Sequence, residues 1–276
     1  MSAKGEREGD EASASGWRAR STRVGGHAVT SRQLAPAGDD PTRGDGPPGR
    51  DRPVVLVHGL VVSSSYHVPL GERLAQRGFE VHAPDLPGFG RSSKPDHHLD
   101  TRELGHVLAS WIEACELRGA TVVANSYGCQ IVAEALLGRP ELADRVVLLA
   151  PTMERRARHV PEQLRRWRAE QKTQSRPLQR LLVRDYLSAG IPRAIATFRH
   201  ALADVIEDKL PYLRQPTLVC RGSRDPIISQ SWADEVRDLL PDGHGAVLPG
   251  ATHAINHEMP LQTARVIDAF LRRTAA

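Results

Sequence analysis

Four short runs constrain the fold most: Pro53-Val-Val-Leu-Val-His-Gly59, Thr121-Val-Val123, Arg145-Val-Val-Leu-Leu-Ala150 and Pro216-Thr-Leu-Val-Cys-Arg-Gly222. Their centres are β-branched or apolar at successive positions, without the polar alternation of a strand that has one face in water. A strand apolar on both sides must be covered on both faces, which is the habit of parallel sheets. Segments with helical spacing lie between and after them, at 66–77, 101–115, 130–137, 229–240 and 260–272. Two of these stop at Gly78 and Gly138, and Thr101 is the expected N-cap of the second. Shorter strands are expected at 79–83 and 245–248. Repeated strand–helix units require a mostly parallel sheet flanked by helices, with right-handed crossovers. The fold class is therefore α/β. Two alternating stretches, 17–24 and 27–34, meet at Gly25-Gly26 and predict an antiparallel hairpin at a sheet edge.

The chain has 276 residues, enough for one large core with an inserted subdomain. Residues 152–212 contain no strand pattern, several amphipathic helical stretches and many arginines, punctuated by Pro177, Pro192 and Pro211. This segment is expected to be a helical cap over the strand ends, with 17–151 and 213–276 forming the core. Residues 1–16 lack periodicity and are expected to be a disordered tail; 35–52, rich in Pro, Gly and Asp, reads as a surface loop.

The polar N-terminus is unlike a secretory signal, and no apolar run approaches the roughly 18–20 residues of a membrane span. Three cysteines without C-x-x-C spacing argue against a disulfide framework and a zinc site, and fit a reducing cytoplasm. Net charge is +4, but with 4% aromatics and no basic run interleaved with them, a nucleic-acid partner is not indicated. Glu154-Arg-Arg-Ala-Arg158 and Arg165-Arg-Trp-Arg168 read as solvated helix faces more readily than as an attractor for an anionic substrate. Nothing in the sequence specifies an oligomeric state.

The chemistry centres on Ala124-Asn-Ser-Tyr-Gly128, a variant of G-x-S-x-G set between a strand and a helix. A serine at so sharp a turn is held in a strained conformation that lifts its hydroxyl above the sheet edge. Small residues two before and two after let the helix pass close to the strand. Gly128 meets this need fully and Ala124 approximately, so Ser126 is the expected nucleophile.

A serine hydroxyl needs a base, and the base an acid to orient it. Asp225 and His253 each follow a strand, in the order nucleophile, acid, histidine, and strand carboxyl ends are where ligands gather in open α/β sheets. His257, His244, Asp234 and Asp238 are weaker competitors by position. The backbone N–H of Tyr127 should stabilise an oxyanion, with a second donor from Leu60 or Val61 after Gly59. His58, Gly59, Asn125 and Tyr66 are candidates for the substrate pocket, His58 mainly as a loop organiser. Cys129 is expected to be packed and inert.

His58-Gly59, Asp85-Leu-Pro-Gly-Phe-Gly-Arg-Ser92, Asn125-Ser126-Tyr127-Gly128, Gly222-Ser-Arg-Asp225 and Gly250-Ala-Thr-His253 together resemble the α/β-hydrolase superfamily, from about residue 17 to the C-terminus. The resemblance implies an eight-stranded sheet, a cap inserted after the sixth strand and no cofactor. Asn125 before the serine is similar to the carbon–carbon bond hydrolases of meta-ring-fission products. Those carry Trp after the histidine, where Ala254 stands here. Serine rather than Asp at the elbow argues against epoxide hydrolase and haloalkane dehalogenase chemistry. The expected function is a serine hydrolase of a small ester, thioester or lactone. The alternatives are carbon–carbon cleavage of a dicarbonyl compound, or ligand binding without catalysis, which typically loses a triad member.

Overall fold

The computed structural model describes the backbone of residues 7–12 and all atoms of 16–37 and 52–275. In chain order the strands are β1 (Arg7–Ala12), β2 (Arg18–Val24), β3 (His27–Leu34), β4 (Val54–Val57), β5 (Val81–Pro84), β6 (Ala120–Asn125), β7 (Ala143–Leu149), β8 (Thr217–Gly222) and β9 (Gly243–Leu248). They form one sheet in the order β1-β2-β3-β5-β4-β6-β7-β8-β9. Pairing is parallel from β5 through to β9 and antiparallel among β1, β2, β3 and β5. The expected hairpin is β2–β3, with Val24 opposite His27 and both turn glycines at positive φ.

The expected eight strands are β2 to β9. The ninth, β1, falls within the stretch expected to be a disordered tail and pairs antiparallel with β2. The free edge of β2 supplies the partner that local composition does not reveal. The rest of that tail, 1–6 and 13–15, and most of the expected loop at 35–52 lie outside the described residues.

The unbroken apolar runs divide between the two faces residue by residue. Val55, Val57, Val122, Ala124, Val146 and Leu148 pack on one side, under α2 (Thr101–Ala114), α3 (Gly128–Leu137) and α7 (Gln230–Leu239). Val54, Leu56, Val123, Val147, Leu149 and Leu218 pack on the other, against α1 (Val68–Ala75) and α8 (Pro260–Arg273). Each fully buried aliphatic side chain contributes roughly 1.5–3 kcal/mol, so both faces must be covered for the sheet to persist. α2 starts one residue earlier than the sequence suggests. Asp100 is its N-cap, and Asp100 and Glu103 each accept the other's backbone N–H in a capping box. Thr101 is instead the first helical residue, and its hydroxyl meets the Tyr127 hydroxyl at 3.0 Å.

The carboxyl ends of β4, β6 and β7, three neighbours in the sheet, each lead into a non-glycine residue in the left-handed region: Val61 (φ 56°), Ser126 (φ 55°) and Ala150 (φ 49°). Above this edge lie α4 (Val160–Gln171), α5 (Arg176–Ala189) and α6 (Ile191–Ala203), within the segment expected to form a cap. Each is tied to the core. From α4, Arg166 pairs with Glu154 and donates to the Ile227 carbonyl at 2.7 Å, while Glu154 also accepts the Ser229 N–H. From α5, Asp185 accepts the Ser63 N–H and hydroxyl, both at 2.7 Å. From α6, Arg193 donates to the Pro95 carbonyl at 2.7 Å.

Candidate active site

Ser126 sits between the last residue of β6 and the first turn of α3, and its N–H donates to the Leu149 carbonyl of β7 at 2.9 Å. The small residues around it are sterically required. A Cβ on Gly128 would lie 2.7 Å from the His58 carbonyl oxygen and 2.8 Å from that of Val57. One on Gly59 would stand 3.1 Å from the Asn125 carbonyl oxygen and 3.2 Å from the Ser126 Cβ. The two turns therefore touch backbone to backbone, which brings the amides after Gly59 beside the serine.

His58 explains how the Gly59 turn is held. Its Nε2 accepts the Leu86 N–H at 3.0 Å, so its Nδ1 carries the proton and donates to the Gly59 carbonyl at 3.0 Å. Burial holds the imidazole below its ordinary basicity. His58 does not line the cavity and is not part of the substrate pocket; it braces the loop from beneath. Asp85 serves the neighbouring loop, accepting the Ser64 N–H at 2.6 Å and the Arg91 N–H at 2.9 Å.

Asp225 follows β8 and His253 follows β9. Gly222 lets these two loops meet, since a Cβ there would lie 2.2 Å from the Ala251 carbonyl oxygen. Asp225 Oδ1 accepts the N–H groups of Ile227 and Ile228 at 2.7 and 3.1 Å, which leaves Oδ2 for His253 Nδ1 at 2.9 Å. The carboxylate thus selects the tautomer with a free Nε2. Burial alone would lower the basicity of His253. The charge and hydrogen bond of Asp225, together with the charge of Glu170, outweigh it, and the imidazole is more basic than usual.

Ser126 and His253 both line a cavity of about 420 Å³ between the strand ends and α4–α6. Gly59, Leu60, Val61, Tyr66, Asn125 and Tyr127 line it as well; of the expected site residues, Asp225 stands behind His253, to which it is hydrogen-bonded, and His58 lies outside the lining. Asn125 is steadied by a hydrogen bond from Nδ2 to the Leu149 carbonyl at 3.2 Å. The competitors are engaged elsewhere: His244 with Asp242 at 3.0 Å, Asp234 with Arg237 at 3.1 Å, and His257 stacked on Tyr66. Cys129 is fully buried, and burial raises its thiol far above the range in which a thiolate forms. Among the described residues, no His, Cys, Asp or Glu cluster is arranged to hold a metal ion.

The cavity walls from α5 and α6 are apolar, including Leu178, Leu182, Ala194 and Phe198, and Leu187 and Ile191 form a mouth that is largely exposed. No arginine is among the lining residues. Arg155, Arg156, Arg165 and Arg168 are exposed, as the solvated-face reading expects, but Arg158 and Arg166 depart from it: they are largely buried, in ion pairs with Glu207 and with Glu154 and Glu162, because they join the cap segment together and to the core. Sequence reasoning missed the α4 wall. Gln163, Trp167 and Glu170 recur at helical spacing along α4 and, with Gln174 in the turn beyond it, line the cavity. A helix face so polar yet turned inward was the available signal.

Residues 54–266 match the family model described as the alpha/beta hydrolase family. An uncharacterized hydrolase of Bacillus subtilis (strain 168), YugF, is 26% identical over 251 residues, covering 82% of this chain and 91% of that protein. A haloalkane dehalogenase of Mycobacterium marinum is 33% identical over a shorter span, 45% of this chain and 41% of that protein. Among solved structures, a membrane phospholipase A described as a bacterial virulence factor superposes with a TM-score of 0.76 at 23% identity, covering 95% of this chain and 88% of that one. No helix among the described residues is long and apolar enough to cross a membrane. With the family match spanning most of the chain and the sheet and elbow built as above, the protein belongs to the α/β hydrolase family.

Proposed function

We propose that the protein is a serine hydrolase acting on a small-molecule carbonyl substrate, an ester, thioester or lactone, through an acyl-enzyme on Ser126. The observation that carries this reading is the alignment of Asp225 Oδ2 with His253 Nδ1 at 2.9 Å, the histidine sharing one cavity with the left-handed Ser126. His253 Nε2 takes the hydroxyl proton as Ser126 Oγ attacks the carbonyl carbon. The oxyanion is stabilised by the Tyr127 N–H, at the start of α3, and by an amide of the Leu60–Val61 turn. Each such donor is worth roughly 3–4 kcal/mol in the transition state. His253 returns the proton to the leaving group, then activates water to release the acid. Asp225 holds the tautomer throughout.

The apolar walls from α5 and α6 favour an apolar acyl group. The haloalkane dehalogenase likeness does not carry over as chemistry, because alkyl-halide displacement relies on a carboxylate at the elbow and this chain has Ser126. The test is hydrolysis of p-nitrophenyl esters of increasing chain length by wild type and Ser126→Ala, with fluorophosphonate labelling alongside. Turnover and labelling that both vanish in the variant support the reading. A wild type that is neither labelled nor active refutes it in favour of a binding protein.

A further inference from the structure

Glu170 is a buried carboxylate beside His253 that belongs to none of the expected site residues. It lies near the end of α4, is 2% exposed, lines the cavity and accepts the His253 backbone N–H through Oε2 at 3.4 Å. Its other oxygen, Oε1, is buried and has no hydrogen-bond partner among the described residues. With one long hydrogen bond from the His253 N–H and the neutral Thr252 hydroxyl as its other donor, the buried carboxylate is incompletely satisfied, and a residue kept only to dock α4 would do better neutral.

The groups facing it narrow what the charge is for. Asp225 is a like charge. Tyr66 is neutral, its hydroxyl held protonated by burial and by Glu170, Asp225 and Glu258 together. The nearby Arg221 guanidinium is committed to the carbonyls of Asp225 and Ile228 and to Gln230. That leaves His253, which becomes a cation when it takes the serine proton.

We propose that Glu170 is a positioning residue of the catalytic machinery: carried by α4 rather than by the core, it fixes the His253 backbone and stabilises the imidazolium as a second carboxylate beside Asp225. The inference deepens the serine-hydrolase reading and rests on it. Mutual attraction between the two groups fits: Glu170 adds to the basicity of His253, and His253 opposes the rise that burial imposes on the Glu170 carboxyl.

The test compares Glu170→Gln, which keeps an acceptor for the His253 N–H and removes the charge, with Glu170→Ala, which removes both. For Glu170→Gln the expected result is a kcat about 3- to 10-fold lower at nearly unchanged KM, with thermal stability equal or higher. The acid limb of kcat/KM should fall by about 0.5–1 pH unit, since one unit corresponds to tenfold in equilibrium. Glu170→Ala should lose more, through a looser histidine loop.

NMR titration of His253 in Ser126→Ala, with and without Glu170→Gln, reads the pairing independently of turnover, the resonance being assigned from a His253→Asn variant. A titration midpoint unmoved by Glu170→Gln overturns the proposal whatever the activity. An inactive, unlabelled wild type overturns the hydrolase reading instead, while the midpoint still decides whether the two groups are coupled.

Discussion

The contact between the elbow and the Gly59 turn makes Gly128→Ala a sharp test of how the site is built. The added Cβ would stand 2.7 and 2.8 Å from two carbonyl oxygens of the β4 end, where ordinary contact begins at 3.4 Å. Both neighbours are backbone, so the elbow and the turn must separate by about 0.6–0.7 Å, the difference between those distances. Overpacking of this kind costs roughly 1–3 kcal/mol, and the better helix propensity of Ala returns at most about 1 kcal/mol. A net loss of about 1–2 kcal/mol is expected by urea denaturation. The effect on rate should be larger in proportion, because the displaced pieces are those that carry Ser126 and the amides after Gly59. A misplacement near 1 Å costs about 10²-fold, so kcat for a p-nitrophenyl ester should fall about 10- to 100-fold with KM little changed. Gly138→Ala, at the other end of α3, is the control, since no atom lies within 4 Å of its new Cβ. It should leave the rate alone. If Gly128→Ala keeps wild-type stability and rate, the close approach is not what shapes the site and the argument fails.

Replacing the acid or the loop brace should have separable effects. Asp225→Asn presents an amide to His253 Nδ1, favours the wrong tautomer and should reduce kcat by about 10⁴-fold, with folding intact by circular dichroism. Because Asp225 helps raise the basicity of His253, the imidazole stays protonated to a higher pH than a free one. The acid limb of wild-type kcat/KM should therefore lie above about 6.5 and drop in Asp225→Asn; a wild-type limb below that value would contradict the pairing. His58→Ala removes the acceptor for the Leu86 N–H and the donor to the Gly59 carbonyl, and leaves a cavity. It should lower unfolding free energy by about 3 kcal/mol, and a loss under 1 kcal/mol would show the brace to be dispensable.

Much of this architecture was legible in the sequence because the signals are local. Unbroken β-branched runs cannot sit half in water, and Asp225 and His253 each follow such a run within a few residues. What escaped is decided by distant partners. β1 is a strand only because β2 presents an unpaired edge, and polar residues such as Arg7 and Glu8 give no hint of it. The start of α2 was misread by one residue because Thr101 is itself a good cap, and the reciprocal Asp100–Glu103 pair outcompetes it. His58 is expected mainly as a loop organiser and also, from its place next to Gly59, as a pocket residue, and the cavity lining excludes the second. Its side chain instead turns inward, because two backbone groups of different loops need a partner there. Glu170 belongs to no motif, and only its position on the cavity-facing side of α4 marks it.

The row of left-handed residues along β4, β6 and β7 bears on how this protein can be engineered. Val61, Ser126 and Ala150 each hold a conformation that costs non-glycine residues roughly 1–3 kcal/mol. Together they rival a good part of the 5–15 kcal/mol by which domains are stable. A stabilisation campaign that ranks positions by backbone strain would choose this edge first, placing glycine at Val61 and Ala150, and would relax the turns that hold Ser126 and the amides proposed to stabilise an oxyanion. Thermostability here is better sought on the far side of the molecule, where helix ends and surface positions can be improved without slackening the rim that carries Ser126.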